Sequence, residues 1–133
     1  MSAVVLDTHA AVWYFLGSPR LSATASTAIE TAINDGEPVY LPSISIIEMI
    51  YLVEKGRLPE TALEKLEESL GDSAGVIAVA DLDLGVAQAL RNIPKADVPD
   101  MPDRIIAATA LHLGLPLITR DAMIQASTIN TIW

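Results

Sequence analysis

The chain has 133 residues, of which 51% are apolar and only 5% aromatic, and its formal net charge is −9. This length predicts a single domain over residues 1–133, and the absence of cysteine excludes disulfides, thiolate metal sites and cysteine nucleophiles. The acidity argues against tight, nonspecific binding of nucleic acid, because phosphates are normally neutralised by lysine and arginine.

Short apolar segments alternate with helical patterns along the chain. The first half has predicted strands at 4–6 and 39–41 and predicted helices at 8–16, from Ser22 to about 35, at about 46–55, and at 59–70. The second half has strands at 76–79, 115–119 and near 128–132, with helices at 84–91, 103–113 and 122–125. This alternation predicts an α/β fold whose mainly parallel sheet is covered by helices on both faces.

The N-terminus and the apolar segments indicate in which cellular compartment the protein resides. The start of the chain lacks the basic and long apolar regions of a signal peptide. The apolar stretches are far shorter than the ~20 residues needed to span a bilayer. We therefore expect a soluble, cytoplasmic protein with no membrane partner.

Four acidic residues lie where we expect a strand to give way to a helix: Asp7, Glu48, Asp103 and Asp121. In an open α/β sheet such junctions gather along the carboxyl edge. Four carboxylates there repel one another unless a cation lies among them, and Mg²⁺ or Mn²⁺ prefers oxygen ligands of this kind. The pattern predicts a Mg²⁺ or Mn²⁺ site and an enzyme that acts on phosphates.

Each acid also has a purely structural explanation. Asp7 could cap the first helix, and Asp121 could cap the turn after the fourth strand. Ser45 and Glu48 fit an S-x-x-E capping box, and Asp103 lies in a first helical turn, where the macrodipole favours negative charge. A cap contributes only about 1 kcal/mol, and serine or asparagine serves as well. Four acids at one edge therefore favour a functional site.

Residues near the acids leave several assignments open. Asp97, Asp100 and Asp103 are spaced by three, and Pro102 favours Asp103 as the direct ligand, with Asp100 as an outer contact. The hydroxyl of Thr119 can orient a carboxylate or a metal-bound water.

Nearby basic and aromatic side chains are harder to assign. His9 could approach the pocket, but we favour helix packing for it, and we expect Trp13 in the core or at an interface and not as a base-stacking group. We assign no chemistry to His112. Arg104 and Arg120 each flank an acid and could pair with a carboxylate or contact a phosphate.

The chain resembles PIN-domain proteins, specifically the VapC group of toxin ribonucleases, in four segments: VVLDTHAAVW, PSISIIEM, DMPDRIIAATALHLGLPLITRD and INTIW. The resemblance covers essentially the whole chain. It implies a PIN-like three-layer sandwich with a five-stranded sheet in the order 3-2-1-4-5. By resemblance, the family's metal-binding acids correspond to Asp7, Glu48, Asp103 and Asp121. The hydroxyl residue that the family commonly has near its last acid corresponds to Thr119. The family varies in whether the last acid binds metal directly.

The resemblance also implies a function. The implied function is that of a metal-dependent endoribonuclease, which cleaves RNA with a metal-activated water and serves as the toxin of a toxin–antitoxin pair. A cognate antitoxin and a homodimer are implied as partners. Candidate RNA contacts are Arg20, Lys55, Arg57 and Arg104. Two alternatives stay open: a non-catalytic metal- or partner-binding module, and a housekeeping PIN nuclease without a toxin role.

Overall fold

The computed structural model describes residues 2–72 and 75–133. Within them, five strands form one sheet: β1 Val4–Leu6, β2 Val39–Pro42, β3 Ile77–Ala80, β4 Leu117–Ile118 and β5 Thr131–Ile132. The spatial order is β3-β2-β1-β4-β5, and every neighbouring pair is parallel. The predicted α/β class, parallel sheet and strand order are confirmed.

Helices connect these strands. They are α1 Thr8–Leu16, α2 Ala23–Asn34, α3 Ser43–Glu54, α4 Glu60–Gly71, α5 Leu84–Leu90, α6 Met101–Leu113 and α7 Ala122–Gln125. Across the described residues, no helix has both the length and the apolar character that crossing a membrane would require.

The core has two parts, one on each face of the sheet. Side chains of successive strand residues point to opposite faces. Val4 and Leu6 therefore pack against α1, α2 and α4, whereas Val5 packs against α5 and α6. Covered on both faces, the central strand is apolar at every position, which explains why its sequence shows no alternation.

Helix α3 begins three residues earlier than expected, directly after β2. Its N-cap is Pro42, which makes no side-chain capping hydrogen bond. Ser45 is fully buried within the helix, so the expected S-x-x-E capping box does not form. Glu48 consequently lies in the second turn of α3, where capping does not account for its carboxylate.

The fourth strand and the fifth strand are shorter than expected. The N–H of Leu115 donates to the carbonyl of Ala110 and so belongs to the turn that ends α6. Pro116 has no N–H to contribute to the sheet. Strand β4 therefore starts only at Leu117.

The parallel sheet collects most of the candidate residues at its carboxyl edge. Asp7 follows β1, α3 follows β2, and Thr119 follows β4. The expectation that all four acids follow a strand is wrong for Asp103, which lies in the first turn of α6 after helix α5 and a loop. The residue that caps the helix after β3 is Asp83.

Candidate active site

Asp7 is held in place by both of its carboxylate oxygens. Its Oδ1 accepts a hydrogen bond from the N–H of Ala10 (2.8 Å), which caps α1, and its Oδ2 accepts one from the hydroxyl of Thr119 (2.5 Å). As a residue, Asp7 is only 8% exposed. Burial raises the pKa of Asp7, while these two hydrogen bonds act in the opposite direction. The capping explanation is confirmed, but it uses only one of the two oxygens.

Thr119 connects two of the acids. It is fully buried, and its hydroxyl accepts a hydrogen bond from the N–H of Asp121 (3.0 Å) while donating to Asp7. The side-chain amide of Gln125 donates to its carbonyl (3.0 Å). The hydroxyl therefore fixes the direction of a carboxylate that lies 112 residues away in sequence.

Glu48 is oriented by a second threonine. The hydroxyl of Thr8 donates to Oε1 of Glu48 at 2.6 Å. Thr8 is buried, and Glu48 is half-buried in the second turn of α3. A carboxylate in such a setting is costly unless it is paired or binds a cation. Thr8 therefore orients an acid that lies 40 residues away in sequence.

Burial and the charges of the other carboxylates raise the pKa of Asp103. It is half-exposed, and its N–H donates to Oδ2 of Asp100 (3.1 Å), which is the N-cap of α6. Burial raises the pKa of Asp103 to about 7, and the charges of neighbouring acids add to that effect. In order of size, these charges belong to Asp100, Asp121, Glu48 and Asp7. The acids singled out from sequence thus share one electrostatic environment.

Asp121 is the N-cap of α7. Its Oδ1 accepts a hydrogen bond from the N–H of Ile124 at 2.9 Å. This confirms the capping explanation for Asp121. Since α7 has only four residues, a cap there supports little structure.

The donor chemistry of these residues suits a hard divalent cation, because every candidate ligand is a carboxylate oxygen. Each oxygen has two lone pairs, so those already hydrogen-bonded can still accept a cation. Across residues 2–72 and 75–133, no three acidic or histidine side chains are already drawn together as a ligand set. Uncompensated carboxylates repel one another, which accounts for this spacing.

A solvent-open cavity of about 370 Å³ adjoins the acids. Its lining residues are Asp7, His9, Trp13, Arg20, Asp103, Arg120 and Asp121. His9 is exposed and lines the cavity, which was the less favoured of its two expected positions. Trp13 packs against the core, as expected, but it is half-exposed and also lines the cavity. Their i, i+4 spacing, which places both on one face of α1 just after Asp7, was the signal in the sequence.

Three of the four expected RNA contacts lie elsewhere or are already engaged. The guanidinium of Arg104 donates to the carbonyls of Ile93 (2.9 Å) and Leu90 (3.1 Å), so it ties α6 to the end of α5. Lys55 and Arg57 follow the far end of α3, a helix roughly 18 Å long that begins at the acidic edge. Of these four candidates Arg20 lines the cavity, together with Arg120, which flanks Asp121.

Comparison with known proteins agrees with this geometry. A family model described as PIN domain matches residues 4–127. The chain belongs to the PIN domain family. A related protein is Ribonuclease VapC22 of Mycobacterium tuberculosis (strain ATCC 25618 / H37Rv), which is 31% identical over 128 residues. The match covers 95% of this chain and 92% of the relative.

Solved structures share the whole PIN fold. VapBC2 from Rickettsia felis, bound to a DNA fragment from its promoter, includes a chain with a TM-score of 0.72 at 15% identity, covering 97% of this chain and 96% of that one. FitAcB from Neisseria gonorrhoeae has a TM-score of 0.59 at 25% identity, covering 96% and 95%. FitAB bound to the IR36 DNA fragment has a TM-score of 0.61 at 22% identity, covering 96% and 92%.

Proposed function

We propose that the protein is a metal-dependent endoribonuclease that hydrolyses RNA phosphodiester bonds and acts as the toxin of a toxin–antitoxin pair. The observation that carries this proposal is the group of four acids at the carboxyl edge, whose charges act together on Asp103. A relative named a ribonuclease, matched over nearly the whole chain, supports RNA as the substrate.

The acids have distinct parts in this proposal. Asp7 and Glu48 present oxygens whose directions are fixed by Thr119 and Thr8, so less side-chain entropy is lost when they act as ligands. Mg²⁺ or Mn²⁺ bound among them would lower the pKa of a water and polarise the scissile phosphate. Asp103, with a pKa of about 7, would release its proton as it becomes a ligand, which makes affinity for the ion depend on pH near neutrality.

A protein partner is the second part of the proposal. The structural neighbours are two-component assemblies, VapBC2 and FitAB, which supports an antitoxin that binds this chain. Large apolar side chains are exposed on several helices, as expected for surfaces covered in an antitoxin complex or a homodimer. They include Ile47, Ile50, Tyr51, Leu84 and Met101.

Cleavage of a mixed set of structured RNAs tests the enzymatic part. Purified protein is incubated with Mg²⁺, with Mn²⁺ or with EDTA, beside the variants Asp103→Asn and Asp97→Asn. Asp97 is exposed, so its variant is a control with the same loss of charge. We expect cleavage that needs the ion, is lost in Asp103→Asn and persists in Asp97→Asn. No cleavage, together with no ion binding by calorimetry, would instead favour a non-catalytic binding module.

The toxin role has its own test. Expression of the wild-type chain should arrest growth, and co-expression of the neighbouring gene product should restore it. Normal growth at an expression level that gives measurable cleavage in extracts would point to a housekeeping PIN nuclease.

A further inference from the structure

The cavity beside the acids also has a basic and aromatic part that ion binding leaves unexplained. This part consists of His9, Trp13, Arg20 and Arg120. Two of the eight lysine and arginine residues of a chain with net charge −9 therefore lie around one cavity. Positively charged side chains around one cavity are especially important for binding nucleic acid in such a protein, because its overall charge repels phosphates.

Hydrogen bonds of the two flanking residues hold the backbone around Arg120, and an aromatic ring contacts its side chain. It lies between the buried Thr119 and Asp121, which caps α7. Its guanidinium carbon is 5.8 Å from the centre of the Trp13 ring, a cation–π contact. Within the described residues, the guanidinium contacts this ring and forms no ion pair with the nearby carboxylates. Its hydrogen-bond donors are therefore free to bind an anion.

Trp13 is itself held between two other rings. The ring centres of His9 and Trp133 each lie 5.7 Å from that of Trp13, tilted by 46° and 58° respectively. Trp133 directly follows β5, so the edge strand brings the last residue of the sequence against α1. A supported ring limits the motion of the guanidinium above it, which reduces the entropy lost on binding.

We propose that Arg120, positioned by Trp13, binds a phosphate of single-stranded RNA next to the bond to be cleaved; this inference rests on the proposed function. A guanidinium can bind phosphate oxygens through two parallel hydrogen bonds. Arginine combined with aromatic rings is the pattern of single-strand recognition, in which the groove follows the backbone and bases stack on the rings. Because Arg120 lines the same cavity as Asp7 and Asp103, the phosphate that it holds adjoins the acids.

Binding of a labelled 12-nucleotide single-stranded RNA of random sequence tests the contact. Fluorescence anisotropy is measured with Asp103→Asn protein, which should not cleave the probe, and with the added change Arg120→Ala or Arg57→Ala. Arg57 is exposed and lies beyond the far end of α3, so its variant loses the same charge away from the cavity. We expect Arg120→Ala to weaken binding about tenfold at low salt. It should also reduce the slope of log K against log salt by about 0.7, as for one lost phosphate contact.

A second pair of variants tests the positioning role of Trp13. Trp13→Phe keeps an aromatic ring in the core-facing position but offers a weaker cation–π surface. If Trp13 acts through Arg120, Trp13→Phe should weaken RNA binding several-fold in the parent and have no effect once Arg120→Ala is present. An equal loss of affinity in both backgrounds, as a merely structural role or direct base stacking on Trp13 would give, would overturn the positioning role of Trp13.

Intrinsic fluorescence locates the bound RNA. Trp13 and Trp133 are the two tryptophans of the chain and are in contact, so tryptophan emission reports on this cluster alone. RNA should change that emission in the parent and in Arg57→Ala, but much less in Arg120→Ala at the same RNA concentration. RNA that binds without changing the emission, or equally well to Arg120→Ala and Arg57→Ala, would overturn the inference, as would a parent that does not bind the probe.

These results are distinct from failure of the nuclease proposal. If the protein cleaves RNA while Arg120→Ala keeps its affinity, this inference fails and the enzyme remains. If no cleavage is found but the probe binds through Arg120, the nuclease proposal fails and the RNA contact stands. Binding of an antitoxin that is lost in Arg120→Ala, with RNA binding unaffected, would assign the contact to the protein partner and contradict the inference.

Discussion

The substitution Asp103→Asn should make the metal-free protein more stable at alkaline pH while it abolishes RNA cleavage. In the folded chain, burial and four neighbouring carboxylates raise the pKa of Asp103 from 3.8 to about 7. Between these values the folded state holds a proton that the unfolded state has lost. The stability of the folded state therefore falls as pH rises through this window, and the full penalty is present above pH 7.

The magnitude follows from that rise in pKa. For a fully buried carboxyl it would correspond to at most about 4 kcal/mol. Asp103 is half-exposed and screened by solvent, which reduces the penalty to about 1–2 kcal/mol. Loss of a negative charge from the first turn of α6 offsets up to about 1 kcal/mol of the gain. The net expectation for Asp103→Asn is a gain of about 1 kcal/mol, or roughly 3–5 °C in Tm.

Thermal unfolding in EDTA at pH 8 and at pH 4.5 measures this gain, with Asp97→Asn as the control. We expect Asp103→Asn to melt higher than the control at pH 8 and to lose that advantage at pH 4.5. Added Mn²⁺ should then stabilise the wild type more than the variant, because ligand binding adds to the stability of the folded state. A gain that is absent at pH 8, or equal at both pH values, would refute the view that crowded carboxylates destabilise this edge.

Other substitutions test the remaining contacts. Thr119→Val keeps the shape of the side chain but removes both hydroxyl hydrogen bonds. The rate of RNA cleavage should fall at least tenfold and the free energy of unfolding by about 1–3 kcal/mol. Thr119→Ser, which keeps the hydroxyl, should retain both the activity and the stability in activity assays and thermal melts. Ser45→Ala removes a buried hydroxyl that has no hydrogen-bond partner in the described structure, so denaturant unfolding should show unchanged or slightly higher stability. Arg104→Ala should lower the stability measured in the same way by about 1–3 kcal/mol, yet leave the affinity for RNA unchanged, because Arg104 bonds only to carbonyls.

The parallel sheet and most of the acidic group were predictable from the sequence pattern, and the strand order followed from the family resemblance. Alternating strands and helices indicate a parallel sheet, and a parallel sheet places Asp7 and Thr119 at one edge whatever the details of the loops. Asp103 was also singled out from the sequence, but it follows helix α5 and a loop and not a strand. Its place beside the other acids depends on how α6 packs against β1 and α3, and such tertiary packing leaves no local pattern in the sequence.

The basic and aromatic residues were the harder part. Arg104 and Arg120 look equivalent in sequence, since each adjoins an acid. Their roles separate only in the fold, where Arg104 donates to two carbonyls at and just after the end of α5, and Arg120 lies over the ring of Trp13. Trp133 reaches Trp13 across almost the full length of the chain, a contact that local spacing does not indicate.

The most direct test of the central claim is the rate of RNA cleavage as a function of Mn²⁺ concentration, for the wild type and for Asp7→Asn. Asparagine caps a helix as well as aspartate does, so this change keeps the start of α1. It removes the charge and exchanges the oxygen that accepts from Thr119 for an NH2 group. We predict saturable, Mn²⁺-dependent cleavage by the wild type and a rate at least 100-fold lower, on the order expected for loss of a ligand, in Asp7→Asn. Equal rates in the two proteins, or cleavage that persists in EDTA, would contradict the account.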